Sequence, residues 1–377
     1  MNRPRPLHAR LLSSVADVDA EQWNALLRPG DPPVLDWHWF HALEESGTAS
    51  AERGWRPAHI ALFEGAALLA VCPLYIRESA DGEFVWSGPI LQACTESGLP
   101  FAPRGVGTIP ATPVPSRRIL SGTGLAREDA IALVGQTLIE LMGAERLASV
   151  GLHFCAPDEV AVLARSGWIL RRQWQYRWSR QGEAGFDEFL GRFKARRRAS
   201  IRRERRELAA AGVRVELVGG ADAPDPLFES AGVMYRDTAA RHGTDPLIAA
   251  SFFSRVASSP LRDRLVLGVA RDTEGICGIT FNVRDTDTLY GRTWGATRGR
   301  RFLHFEAAYY AGIDWCLQQG LQHFEPGHGG EYKKARGFDA RAVESVHAFA
   351  DRRLHAAIHA WAGRERDWVD ERLAAGL

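Results

Sequence analysis

The sequence is short of the features that place a protein most quickly. No run of ~18 uninterrupted apolar residues occurs, which excludes an apolar helix spanning a membrane. Cysteine is scarce: Cys72, Cys94, Cys155, Cys277 and Cys316 are odd in number and too scattered for a CxxC metal or redox site. Set in apolar segments such as LAVCPLYI and GICGITF, they are expected to be buried free thiols. Charge of one sign is missing as well, because 47 Lys and Arg face 46 Asp and Glu. No global field therefore steers the chain to DNA or a membrane, and any basic site must be a local concentration. Metal spacing is absent, since His355 and His359 lie four apart with no third ligand nearby in sequence. So is a nucleophile elbow of the G-x-S-x-G kind. The start, MNRPRPLHARLLSSVADVDAEQW, is basic but reaches acidic residues before any apolar stretch, so it does not read as a signal peptide and a cytoplasmic location is expected.

What is present is the composition of a folded protein, with 45% hydrophobic and 25% charged residues. At 377 residues the chain is long for one core, and more than one domain is expected. One pattern occurs twice. In the first half, WFHALEESG reads as a helix and RPAHIALFEGAALLAVCPLYIRES as two strands turning at Glu64–Gly65; AREDAIALVGQTLIELMGAERL (helix) and ASVGLHF (strand) follow. In the second half, LIAASFFSRVASS is the helix, and DRLVLGVARDTEGICGITFNVRDTDTLYGRTWGAT reads as three strands. EAAYYAGIDWCLQQG and LQHF then supply the closing helix and buried strand. The repetition predicts a duplicated α/β unit of mixed α+β type, with domains 1–178 and 179–377. The closing segment from Ala342 to Leu373 reads as helical and is expected to pack on the second domain.

Between the halves, the stretch from Phe186 to Ala211 has helical periodicity, with Phe189, Leu190, Phe193, Ile201 and Leu208 as its apolar stripe. Lys194, Arg196, Arg197, Arg198, Arg202, Arg203, Arg205 and Arg206 put eight cations into thirteen residues, relieved only by Glu204 and Glu207. That exceeds what solubility needs, and the reading preferred over a merely solvated helix is a site for phosphates, held by Lys194, Arg197, Arg198, Arg202, Arg203 and Arg206.

Two further stretches carry chemistry. In YGRTWGATRGRRFLHFEAAYY, strand alternation puts Tyr290, Arg292 and Trp294 on one face, a cationic and aromatic wall. The next helix starts near His304 with Glu306 in its first turn, where a carboxylate serves equally as a cap or as a ligand. FEPGHGGEYKKARG then threads Glu325, His328, Glu331, Tyr332, Lys333, Lys334 and Arg336 on Gly327, Gly329, Gly330 and Gly337, just past a strand's carboxyl end. Open α/β sheets place ligands there. A solvated loop whose charges pair among themselves is the competing reading.

These segments, RFKARRRASIRRERREL, LYGRTWGAT, FLHFEAAYYAGIDWC and FEPGHGGEYKKARGF, resemble the FemAB-like N-acyltransferases of bacteria, a branch of the GNAT superfamily. PVLDWHWFHALEESGTAS, GWRPAHIALFEG and CPLYIRESADGEFVW are also similar, so the resemblance covers most of the chain. It implies tandem GNAT-like domains, as in the Fem peptidoglycan aminoacyltransferases, and transfer of an acyl group onto an amine or related nucleophile of a small-molecule or cell-wall-type acceptor. Many members read EPGAQGEHK where this chain has EPGHGGEYK, and an acidic residue common after the family's EYVF segment is missing from EFVWSGP. An atypical acceptor follows from those departures.

The resemblance leaves two donors in play. Acyl-CoA enzymes of this superfamily hold the pyrophosphate on a Gly-rich turn at a helix start, where this chain has RGRRFLHFE with bulky Phe302, Leu303 and His304. Fem-type enzymes use aminoacyl-tRNA, for which the basic helix offers a backbone contact. Aminoacyl-tRNA is slightly favoured over acyl-CoA, with no tightly bound cofactor. Either donor is already activated, so the chain needs no covalent nucleophile, only a base, an oriented amine and a stabilised oxyanion. Glu325, His328 and Glu331 are the candidate bases, with Glu325 ahead because it ends a buried strand. Lys333 and Arg336 are expected to bind an acceptor carboxylate or polarise the donor carbonyl, beside Tyr290, Arg292, Trp294, His304, Glu306 and Tyr332. The contrasting class is a protein that binds an aminoacyl or nucleic-acid ligand without turnover.

Overall fold

A computed structural model describes residues 7–376. The chain forms two compact units: Met1–Trp174 with Ala342–Leu377, and Gln175–Arg341. Its strands are β1 (Leu7–Leu12), β2 (Trp55–Pro57), β3 (His59–Glu64), β4 (Ala67–Cys72), β5 (Tyr75–Arg77), β6 (Arg104–Gly107), β7 (Leu120–Ser121), β8 (Ser149–Leu152), β9 (Ile169–Ser179), β10 (Arg214–Gly219), β11 (Leu265–Asp272), β12 (Gly275–Arg284), β13 (Thr288–Ala296), β14 (His323–Glu325) and β15 (Asp339–Phe349).

In the first unit, β3 pairs antiparallel with β1 and with β4, which turns back at Gly65 as its sequence demands. A second ladder runs β2–β5–β6–β8–β15, antiparallel except for β6 beside β8. Helix Arg127–Ala144 buries Ala130, Ile131, Val134 and Leu138 in a core shared with Ile60, Leu62, Val150 and Leu152. The spacing of those four helical residues is the apolar stripe that a core-facing helix requires. Helix Arg352–Ala374 also belongs here, where Leu354, Ile358 and Ala362 pack with Ile90, Ile169 and Phe349. The closing segment thus lies with the first unit, contrary to the expectation that it covers the second, and its amino-terminal part is a strand. The reason is in VESVHAF, whose alternation from Val343 feeds β15 onto β8 through Val346↔Leu152 and Phe349↔Ser149.

The second unit repeats the order. β10, β11, β12 and β13 form an antiparallel meander, β13 then lies parallel to β14, and β14 pairs antiparallel with the end of β9. Leu265, Val266, Leu267, Val269 and Ala270 are all buried, which is why β11 reads as a continuous apolar run. In each unit one parallel pair interrupts an otherwise antiparallel order: β6 with β8, and β13 with β14. The fold is mixed α/β.

The basic segment is two helices, Phe186–Leu190 and Ala195–Ala210, instead of the single helix that its periodicity suggests. Phe189 and Leu190 are buried, and the chain turns at residues 191–194 before Ile201 and Leu208 seat the longer helix. Leu208 packs with Val213, Ala270, Cys277 and Leu303. All five cysteines are free and buried. No helix among the described residues is long and apolar enough to cross a membrane.

Candidate active site

The candidate site lies in the second unit, where the β13–β14 ladder stops. Its pairs are Thr288↔His323, Leu289↔Phe324 and Tyr290↔Glu325. β14 ends there while β13 runs on to Ala296, so Glu325 stands at the last rung. Facing β12, Asn282 pairs with Gly291 and Phe281 with Thr293, so Arg292 is the extra residue of a bulge. The bulge reverses the alternation beyond it. Tyr290 and Thr293 share a face through Val283 and Phe281, whereas Trp294 lies on the opposite face with Thr280. The single wall of Tyr290, Arg292 and Trp294 expected from strict alternation is therefore corrected: Arg292 is re-aimed by the bulge and Trp294 is turned away from Tyr290.

Glu325 is buried and accepts a hydrogen bond from Arg341 Nη2 at its Oε1. Arg177 Nε lies 3.9 Å from the same oxygen. Burial raises the Glu325 pKa, against the opposing pull of Arg341, Arg177 and Arg292. Arg292 is itself lowered to about 10 by desolvation, with Glu325 acting in the other direction, and it stays charged at neutral pH.

The loop after Glu325 folds over Lys333. Gly327 and Gly337 hold φ of +84° and +88°, and a Cβ on Gly337 would meet the Phe189 ring at 2.7 Å, so that turn has room only for glycine. Glu331–Arg336 forms a 3-10 turn that sinks Lys333 to 1% exposure. Its Nζ donates to the carbonyl oxygens of Gly327 at 2.7 Å and His328 at 3.0 Å. Burial, with the Arg292 cation adding to it, pushes the Lys333 pKa down to about 7.

The other expected site residues divide. His304 belongs to the cluster: its ring stands 5.7 Å from Trp294, 5.3 Å from Tyr309 and 6.5 Å from Tyr332. Desolvation, then Lys333 and Arg336, lowers it to about 4, so it is neutral at pH 7. His328 is on the exposed side of the loop, with its carbonyl engaged by Lys333. Tyr332 is 45% exposed and receives the Tyr309 hydroxyl at 3.4 Å. Glu331 is exposed and is not brought against Glu325 or Lys333 by any hydrogen bond or ion pair among the described residues.

Arg336 and Glu306 turn out to hold the basic helix. The Arg336 guanidinium lies 3.4 Å from the centre of the Phe305 ring, donates to the Tyr332 carbonyl at 2.9 Å and faces buried Glu204 at 3.6 Å. Glu204 also accepts from the Tyr310 hydroxyl at 2.7 Å. Glu306, in a π-turn over Glu306–Tyr310, takes Arg205 at 2.9 Å, and Asp314 takes the same guanidinium at 3.3 Å. π-turns of this kind mark functional sites. Here the turn aims a buried carboxylate at Arg205, and the side chain does not cap the helix. Burial raises the Glu306 pKa and Arg205 opposes the rise.

The outer face of Ala195–Ala210 stays basic. Arg197 is drawn in, donating to the Ala335 carbonyl and lying 3.7 Å from Glu204. Arg198 donates to the Phe193 carbonyl, Arg202 reaches exposed Asp187 at 3.0 Å, and Arg203 pairs with Glu207. Lys194, Arg196 and Arg206 are exposed, without an ion pair among the described residues. Lys194, Arg198, Arg202 and Arg206 recur every fourth residue, a stripe about 18 Å long at 1.5 Å per residue. In the loop before the π-turn, by contrast, Arg298 and Arg300 both bind Asp272, at 3.2 and 2.6 Å. No group of His, Cys, Asp and Glu suited to a metal occurs among the described residues.

The chain matches the FemAB-like family model, described as peptidoglycan biosynthesis/recognition, over residues 14–376. It belongs to the FemAB-like family. Solved structures of similar fold include the C-terminal domain of a protein described as a lysylphosphatidylglycerol synthetase from Agrobacterium fabrum, at 12% identity and TM-score 0.55 over 92% of this chain and 96% of that one. FemX is similar at 11% identity and TM-score 0.53, over 91% and 98% of the two chains. L-PGS from Bacillus licheniformis follows at 11% and 0.50, over 89% and 98%. At these identities the likeness is one of fold. Comparison by sequence with curated proteins finds no match. Membership of the FemAB-like family, with this fold, supports an acyltransferase.

Two residues of the site escaped the sequence reading. Arg177 and Arg341 lie 164 positions apart and meet only through Glu325. The usable signal for Arg177 was its place in QYRWS between buried Tyr176 and Trp178, which puts it on the opposite face of β9. Arg341 carried none, because FDARAVES reads as a polar connection.

Proposed function

We propose that this FemAB-like chain transfers an activated acyl or aminoacyl group directly onto an amine, with the second unit as a GNAT-like catalytic domain and the first as its structural repeat. The observation that carries the reading is Glu325 on the last rung of a parallel strand pair, buried and with a raised pKa, with Arg292 as the cation that acts on both it and Lys333. Glu325 is the base. Its Oε2 accepts no hydrogen bond among the described residues, leaving that oxygen for the amine. The acceptor enters as an ammonium and gives one proton to Glu325; the neutral amine so formed attacks the donor carbonyl, the N–C bond forms, the ester C–O bond breaks, and the departing oxygen takes a second proton from the attacking nitrogen, which keeps its last as the amide N–H. Lys333, as an ammonium, stabilises the oxyanion.

The donor favoured is aminoacyl-tRNA. The Lys194–Arg206 stripe is longer than one pyrophosphate and suits an extended chain of phosphates, while Arg298 and Arg300 are committed to Asp272 at the turn where a CoA pyrophosphate would be cradled. An acceptor among the building blocks of the cell wall, free amino acids included, agrees with the description of the family. Mass spectrometry of ligands and RNA retained by the purified protein tests the donor: retained tRNA supports this reading, and retained CoA overturns it in favour of an acyl-CoA-dependent N-acyltransferase.

A further inference from the structure

Arg177 is an anomaly within the cluster. Its side chain is 24% exposed, yet none of its five N–H groups makes a hydrogen bond among the described residues, and its nearest anion is Glu325 at 3.9 Å. Arg341, 31% exposed, spends one N–H on Glu325 and leaves its Nε without a partner. Burial and the neighbouring Arg341 cation both lower the Arg177 pKa, so the two guanidiniums repel each other in a partly dry site. Guanidinium forks left without acceptors in such a place are costly, and a planar two-oxygen anion is the partner that fits them.

The surrounding charges leave room for that anion. Arg177, Arg292 and Arg341 supply three cations around Glu325. Against them stand Glu325 and Asp285, and Asp285 is already occupied by the Tyr290 hydroxyl at 2.8 Å and the amides of Asp287 and Thr288. His323 donates no charge, since burial and Arg177 lower its pKa and its Nδ1 meets Ser179 at 3.0 Å.

We infer that Arg177 and Arg341 form a carboxylate clamp beside Glu325, and that the acceptor is a free α-amino acid. This rests on Glu325 being the base that receives the amine. Both arginines converge on Glu325 Oε1, so a carboxylate on their remaining N–H groups lies next to that residue. An amine on Glu325 Oε2 is then joined to the carboxylate through one intervening carbon. A simple amine leaves the clamp unfilled, and a peptide amino terminus has no carboxylate on the same carbon.

The test is binding, measured by ligand-observed NMR on the full chain without donor, of each standard amino acid beside its carboxamide. At least one acid binds, its amide binds about 10- to 100-fold more weakly, and Arg177→Gln brings the acid down to the level of the amide. Arg341→Gln has the same effect. Where Gln impairs folding by circular dichroism, Arg177→Lys replaces it and gives a smaller, still measurable loss, because a point charge replaces a fork. Amides binding as tightly as acids, acids unaffected by Arg177→Gln, or no amino acid bound at all would overturn the clamp. Turnover with amines lacking a carboxylate would remove the clamp and leave the transferase reading standing; selective binding of acids with no turnover from either donor would do the reverse.

Discussion

The Lys333 ammonium donates to the Gly327 carbonyl at 2.7 Å, six residues back along its own loop. That bond ties the loop back on itself and holds a buried cation beyond the strand end that carries Glu325. With its pKa lowered to about 7, Lys333 changes charge near neutral pH.

A pH profile follows. If the ammonium stabilises the oxyanion, kcat/KM rises at acid pH as Glu325 ionises above its ordinary range, and falls again as Lys333 loses its proton above about 7. Lys333→Arg removes the alkaline fall, because a guanidinium stays charged. An unchanged alkaline limb in that variant assigns it to another group. The same lysine shapes stability in the opposite sense. Its folded pKa is below the ordinary 10.5, the unfolded chain binds the extra proton between, and the fold gains stability as pH rises from about 7 towards 10.5.

Arg336 is expected to act on stability first. Removing it strips buried Glu204 of one cation and the Phe305 ring of its stacked guanidinium. Arg336→Ala should cost ~3 kcal/mol in urea unfolding. A loss within ~0.5 kcal/mol, with binding impaired instead, would return Arg336 to the ligand role read from its sequence.

Local burial is legible in this sequence, and contacts between distant residues are not. The apolar run LVLGVA marked its strand, since burial on both faces leaves a plain local signal. The Glu325–Arg336 loop stood out because its charges follow a strand. What could not be read were pairings made by tertiary folding: Glu204 with Arg336, Glu306 with Arg205, and Glu325 with Arg177 and Arg341. The bulge at Arg292 was hidden for a related reason, as a register shift is a property of two strands and alternation is counted on one. The break between Leu190 and Ala195 was masked by a heptad-like stripe that continues across it, Gly191 being the only local hint.

The basic stripe should behave as a phosphate contact. Lys194→Glu, Arg202→Glu and Arg206→Glu together should weaken tRNA binding and flatten the dependence of log K on log salt by about 2 to 3 units. Arg197 is omitted, because it is tied to Ala335 and Glu204. An unaltered salt slope would reduce the stripe to a solvated face.

Acid should destabilise the first unit through two histidines. His153 and His347 are buried, their rings 5.5 Å apart, and desolvation holds both well below 6.5. Below about pH 6.5 the unfolded chain takes up protons that the folded one refuses, so stability falls as pH falls. In His153→Asn the slope of unfolding free energy against pH should be shallower by about 1.4 kcal/mol per pH unit at pH 5. A slope equal to that of the native protein would show that His153 ionises freely in the fold.

In the proposed mechanism Glu325 takes a proton from the acceptor's nitrogen. Glu325→Gln keeps the size of the side chain and an oxygen for Arg341 while removing the base. Single-turnover transfer with saturating donor and acceptor is the measurement. A fall of ~10²–10⁴ in rate is expected, with donor binding unchanged and the fold intact by circular dichroism. Transfer at the native rate in Glu325→Gln would contradict it.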